Sequence, residues 1–127
     1  MITSVLAIAA GASVGALVRW RLGLALNAVL PHLPLGTLTA NWIGGYAIGV
    51  VAAFFLHHPD IAPAWRLFAV TGLLGGLTTF SSFSIEMTSL LQDGKLLWGL
   101  AGICLHVGGS LVLTALGMAT YAWWRAV

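Results

Sequence analysis

Apolar residues run almost unbroken along this chain. Polar punctuation falls at three places: Pro31-His32-Leu33-Pro34, His57-His58-Pro59-Asp60 and Gln92-Asp93-Gly94-Lys95. The last has the composition of a turn. Crossing about 30 Å of hydrocarbon takes roughly 20 apolar residues in a helix. Each stretch between the breaks is that long, so the pattern predicts four spans at residues 2–30, 35–56, 65–91 and 96–124. The first passes Arg19 and Arg21 near one interface and continues through Leu22–Leu30. Connections this short leave no room for an extramembrane domain, so residues 1–127 read as a single four-helix transmembrane domain. Met1–Ala16 lacks a basic leader and is followed by more membrane-type sequence, which makes it a retained span rather than a signal peptide.

Composition narrows the class further. Charged residues are 6% of the chain and hydrophobic ones 60%, against about 25% charged in soluble domains. A 13.3 kDa soluble domain could not cover its surface with so few polar groups. The formal charge of +2 comes from Lys and Arg scattered over helix ends, which form no patch for nucleic acid. The single cysteine, Cys104, excludes an internal disulfide and reads as a small buried residue. No Cys/His cluster suggests a zinc-type site, and no nucleophile–base pair suggests an enzyme.

Four spans put both termini on one side. That side carries Arg66 and Arg125, and the other carries Arg19, Arg21 and Lys95. Lys/Arg asymmetry sets orientation, and here the difference is one, narrowed further by the α-amino group of Met1. Either the chain inserts both ways, or determinants outside the charge count select one orientation. A four-helix bundle fills its own interior, so a transport path is expected where two such bundles meet. Oppositely inserted subunits would be related by a two-fold axis in the membrane plane.

Polar residues inside the spans carry the chemistry. In the first, Gly11, Gly15 and Arg19 share a face at spacing four. The glycines would admit a neighbouring helix closely, and Arg19 either snorkels or meets a buried partner. In the second, Thr37 and Asn41 lie one turn apart near Gly44 and Gly45. Asn41 either bonds helices together or offers N–H groups to an anion. The third carries the strongest signal, Gly72-Leu-Leu-Gly75-Gly76-Leu77-Thr78-Thr79-Phe80-Ser81-Ser82-Phe83-Ser84. Paired glycines and threonines at mid-span weaken the helix. A break there would free carbonyls suited to a small cation and amides suited to an anion. Non-helical backbone at that depth survives only when buried in protein or facing a water cavity. Thr79, Ser82, Glu86 and Ser89 then form a polar stripe beside Phe80 and Phe83, with Glu86 the one acid well inside a span. Glu86 is either functional or close enough to the interface to be solvated. In the fourth, His106, Ser110 and Thr114 repeat at spacing four. Tyr121, Trp123 and Trp124 read as an interfacial belt.

Taken together, the third-span motif, Gly11-Ala-Ser-Val-Gly15-Ala-Leu-Val-Arg19 and Gly36-Thr-Leu-Thr-Ala-Asn41-Trp-Ile-Gly44 resemble the CrcB/Fluc family of small fluoride channels. Ser82 stands where many members carry Thr, and His106 is not a typical occupant of its position. The resemblance implies an all-α membrane protein whose third helix is broken at mid-membrane, assembled with a second copy of itself as an antiparallel, dual-topology homodimer in lipid. It implies two fluoride pores per dimer and a central structural sodium ion. The carbonyls of Gly75 and Thr78 would hold sodium, two from each subunit. Phe80 and Phe83 would face the anion with their ring edges, and Asn41 would donate to it. His106, Ser110 and Thr114 fall where the family has a polar track. The implied activity is passive fluoride export across the bacterial inner membrane, which lowers intracellular fluoride and its toxicity.

The physical logic suits these residue types. Fluoride is strongly hydrated, so a pore must replace its water with donors. Ring edges are weakly positive and contact an anion without trapping it, and conduction needs weak, serial sites. A competing expectation is a proton-coupled, small four-helix drug exporter. Such proteins carry their coupling carboxylate in the first helix, where this chain has no acid, leaving Glu86 to serve.

Overall fold

The computed structural model describes residues 1–127 and is helical, without strands. Four helices are long and apolar enough to cross a membrane: Ile2–Leu26, Leu35–His57, Pro63–Gln92 and Leu96–Ala126. The first two are α1 and α2. The third span is composite, made of α3 (Pro63–Arg66), a wide π-type stretch (Leu67–Leu74), α4 (Gly75–Leu77) and α5 (Phe80–Gln92). The last, α6, covers Leu96–Ala126.

The expected break is present, displaced slightly from the paired glycines. Gly75 is helical (φ −63°, ψ −36°), whereas Thr78 (φ −84°, ψ 156°) and Thr79 (φ −150°, ψ 121°) are extended. Gly76 serves another need, close approach to α1: a Cβ there would lie 2.5 Å from the Ala12 carbonyl oxygen. β-branched threonines favour extended backbone, and the chain opens on them.

Besides the α1–α2 contact at Gly36, where a Cβ would overlap the Leu22 carbonyl, two helix pairs are joined by backbone contact through glycine. In one, α1 meets the first half of the third span. A Cβ on Gly11 would overlap the Phe68 carbonyl, and one on Gly15 would overlap that of Leu73. The other is α2 against α6, where Gly49 faces the Thr114 carbonyl and Gly117 that of Tyr46. Close approach through small residues replaces the hydrophobic driving force that helices lack in lipid. Side chains do the rest. Leu33, Leu38, Phe83, Met87 and Leu90 form one core cluster, and Ala40, Leu74 and Leu77 form another. Large apolar residues such as Leu6, Leu56 and Leu97 point outward, as a lipid-facing surface requires.

Several local expectations change. The first helix ends at Leu26, not Leu30, because the Asn27 side chain turns to accept the N–H groups of Gly36 (2.8 Å) and Thr37 (3.2 Å). Those donors at the start of α2 have no partner within their own helix. The third span begins at Pro63, whose fixed φ suits a first helical position. Cys104 is exposed, not buried, on the outer face of α6. Tyr121 is buried rather than part of a belt, with its ring 5.6 Å from that of His57 and 6.2 Å from Phe54. Trp123 and Trp124 are exposed as expected.

Candidate ion pathway

The break leaves peptide groups without helical partners at membrane depth, and neighbouring side chains take them up. Asn41, on α2, closes on the opened strand like a second backbone. Its Oδ1 accepts the Thr79 N–H (2.8 Å), and its Nδ2 donates to the Thr79 carbonyl (3.1 Å). Arg19 donates from Nε to the Gly76 carbonyl (3.0 Å), so its partner is a freed carbonyl of its own chain. Thr79 caps α5 by accepting the Ser82 N–H at its hydroxyl oxygen (3.1 Å). Thr78 folds its hydroxyl back onto the Leu74 carbonyl (2.9 Å).

Asn41 also fixes the state of His106. Its Oδ1 must be the acceptor, because a backbone N–H donates to it, and its second Nδ2 hydrogen points at Nδ1 of His106, 3.1 Å away. Nδ1 therefore accepts, and the imidazole proton sits on Nε2. His106 is only 4% exposed, and Nε2 has no partner. Both Asn41 N–H groups are thus committed within the protein. His106 Nε2 is left as a donor without a protein partner.

Three cavities surround these groups. A cavity of about 490 Å³ is lined by Asn41, Gly75, Thr78, Thr79, Phe80, Phe83, His106 and Ser110 together with apolar residues. No lysine, arginine or carboxylate faces it. Phe83 is buried, with its ring 4.7 Å from that of His106 and 5.4 Å from that of Phe80, whereas Phe80 is 77% exposed. On the other side of the opened strand, a cavity of about 370 Å³ is lined by Arg19, Asn27, Thr37, Thr79, Ser82 and Glu86. Thr79 borders both. A third, about 350 Å³, is lined by Asn27, Glu86, Ser89, Asp93 and Lys95 among others.

Glu86 is held in place by a neighbouring helix. Thr37 donates to its Oε1 (2.7 Å), and Oε2 is buried without a partner. The polar stripe of Thr79, Ser82, Glu86 and Ser89 thus faces protein cavities as a unit. The α6 track divides. His106 and Ser110 line the large cavity, while Thr114 donates to the Gly45 carbonyl (2.8 Å) and binds α6 to α2. Gly11 and Gly15 seat α1 on the third span.

Gly75 and Thr78 carry carbonyl oxygens whose usual donors have gone elsewhere. The Thr79 N–H is taken by Asn41 and the Ser82 N–H by the Thr79 hydroxyl. Two hard oxygens on residues lining one cavity suit an alkali cation. Sequence reasoning finds Thr37 only as a neighbour of Asn41 and misses its bond to Glu86. It misses Asn27 entirely, although an amide just ahead of Pro31 marks a helix end.

Comparison with known proteins gives consistent results. A family model described as CrcB-like protein, Camphor Resistance (CrcB), matches residues 6–118. The chain is 57% identical over 121 residues to the fluoride-specific ion channel FluC of Pseudomonas putida (strain W619), covering 95% of each. It is 58% identical over 120 residues to the protein of the same name from Tolumonas auensis, covering 94% of each. The like-named protein of Nitrosomonas europaea is 52% identical over 122 residues, 96% of each chain.

Proposed function

The chain belongs to the CrcB family, and from that membership we propose that this multi-pass membrane protein is a fluoride channel, not an enzyme, through which fluoride leaves the cytoplasm passively. The observation that carries the reading is the opened strand at Thr78–Thr79, held by Asn41 against a cavity that offers donors and ring edges but no fixed charge.

In this reading each group has a role. Fluoride gives up hydration water for the N–H on His106 Nε2 and the hydroxyl of Ser110, both on one face of α6. Phe80 and Phe83 supply the weakly positive rims of their rings. Asn41 is a positioning residue that fixes the opened backbone and the tautomer of His106. Neutral donors in series hold the ion weakly enough for it to leave. Arg19, Thr37, Ser82 and Glu86 form a polar chamber on the far side of Thr79.

The working unit in this reading is an antiparallel homodimer in lipid with two pores, formed by chains that insert both ways. A central sodium ion would be held by the carbonyls of Gly75 and Thr78, whose displaced donors support the assignment. When bound it supplies a fixed positive charge that joins the two subunits. Residues outside this chamber, such as Thr114, serve assembly.

The test is fluoride efflux from liposomes holding purified protein, with a potassium ionophore to relieve charge. Electrogenic fluoride efflux well above chloride efflux is expected. Folded, dimeric protein that passes no fluoride sinks the proposal.

A further inference from the structure

Asn27 lines two of the cavities described above without a role assigned so far, and its exposed side chain has a determined amide orientation. Its Oδ1 accepts two backbone N–H groups, those of Gly36 and Thr37. An oxygen committed in this way turns the Nδ2 hydrogens in the opposite direction. The nitrogen lies on the Gly23 side, since a Cβ placed on Gly23 would come within 3.3 Å of it. Gly23 and Asn27 both line the chamber that contains Arg19, Ser82 and Glu86. No protein acceptor takes either Nδ2 hydrogen, the only bonds of this side chain being those at Oδ1.

Position makes these spare donors consequential. Asn27 and Glu86 are the residues shared by the chamber and the outer cavity that Asp93 and Lys95 border. A path joining the two would pass them. Arg19 and Glu86 have opposite formal charge, so the chamber is not strongly attractive in itself, and a neutral N–H pair adds grip without a trap.

We propose that the Asn27 Nδ2 group is an anion-binding donor at the junction of these two cavities, where a small hydrated anion first exchanges water for protein. The inference rests on the fluoride-channel reading and adds a station to it. Asn27 therefore has two separable duties: its oxygen holds the start of α2, and its nitrogen meets the ion.

The chain holds two asparagines, Asn27 and Asn41. Nitrogen-isotope labelling of asparagine alone therefore yields two side-chain amide pairs in the reconstituted protein, assigned by loss of one in Asn27→Asp. Titration with fluoride should shift the Asn27 pair saturably, and chloride at matched ionic strength should not. An Asn27 pair that ignores fluoride overturns the inference. Asn27→Asp keeps an oxygen for both backbone donors, so the dimer should persist. Its fluoride efflux should drop about tenfold, since a like charge replaces a donor beside the ion. The deficit should remain at about 1 M salt, where the screening length is near 3 Å. Recovery to the unmodified rate there assigns the deficit to charge alone and removes the donor role. Absent efflux in the unmodified protein counts against the channel reading, and the titration still judges Asn27 by itself.

Discussion

The two halves of the third span are held by different means. Residues 63–77 lie on α1 with backbone against backbone, their glycines interleaved with Gly11 and Gly15. α5 contains no glycine and rests on α6 and α2 through Phe83, Met87 and Leu90, with a cap at Thr79 and a polar stripe beneath. The first half is placed on α1 by shape and tolerates no side chain at its glycine contacts there. The second is placed by side chains, which leaves its other face free to address an ion. The opened strand between them marks where the span passes from one partner to the other, so its position follows from packing as much as from propensity.

The largest effect should come from filling the backbone seam. Gly15→Leu would press a side chain into the carbonyl of Leu73 and the nitrogen of Leu77. Overpacking costs about 1–3 kcal/mol where side chains can yield, and backbone cannot. Little monodisperse protein should survive size-exclusion chromatography, and a normal yield would show that the seam is softer than drawn. Next is the joint itself. Asn41→Ala strands the Thr79 N–H and carbonyl and frees His106 Nδ1. Each stranded buried group costs about 1–3 kcal/mol. Fluoride efflux should vanish and thermal stability fall; retained efflux would separate the opened strand from conduction. The subtlest comparison lies inside α5. Phe80→Ile and Phe83→Ile should both slow fluoride strongly while the dimer stays intact. Only the second should lower stability, by about 1 kcal/mol, because Phe83 is 9% exposed and Phe80 77%. Equal rates in both variants and the unmodified protein would remove the ring-edge argument.

Much of this architecture is legible in the amino-acid sequence. Four spans follow from hydrophobic run length, and the Gly75–Thr79 segment announces a weak point in a helix that nothing local requires. The polar stripe on α5 is a matter of spacing, and its residues do face one set of cavities. What escapes depends on partners distant along the chain. Ser110 and Thr114 are indistinguishable by period, and only the proximity of the Gly45 carbonyl turns Thr114 into a fastener. Asn41 is open to two readings in the sequence, helix bonding or ion donation, and its bonds to Thr79 and His106 span 38 and 65 residues, beyond what spacing reveals. Cys104 reads as buried because lipid and protein core are equally apolar, so hydrophobicity alone cannot say which way a helix face turns.

The outward-facing Cys104 has a practical consequence. It is the chain's one thiol, and it sits in the first third of α6 rather than at its middle. A label attached there reports depth in the bilayer with no engineered substitution. Two subunits arranged head to tail carry their labels in opposite leaflets, whereas two arranged side by side carry them in the same one. The unaltered polypeptide thus supplies its own marker for which way each copy went in.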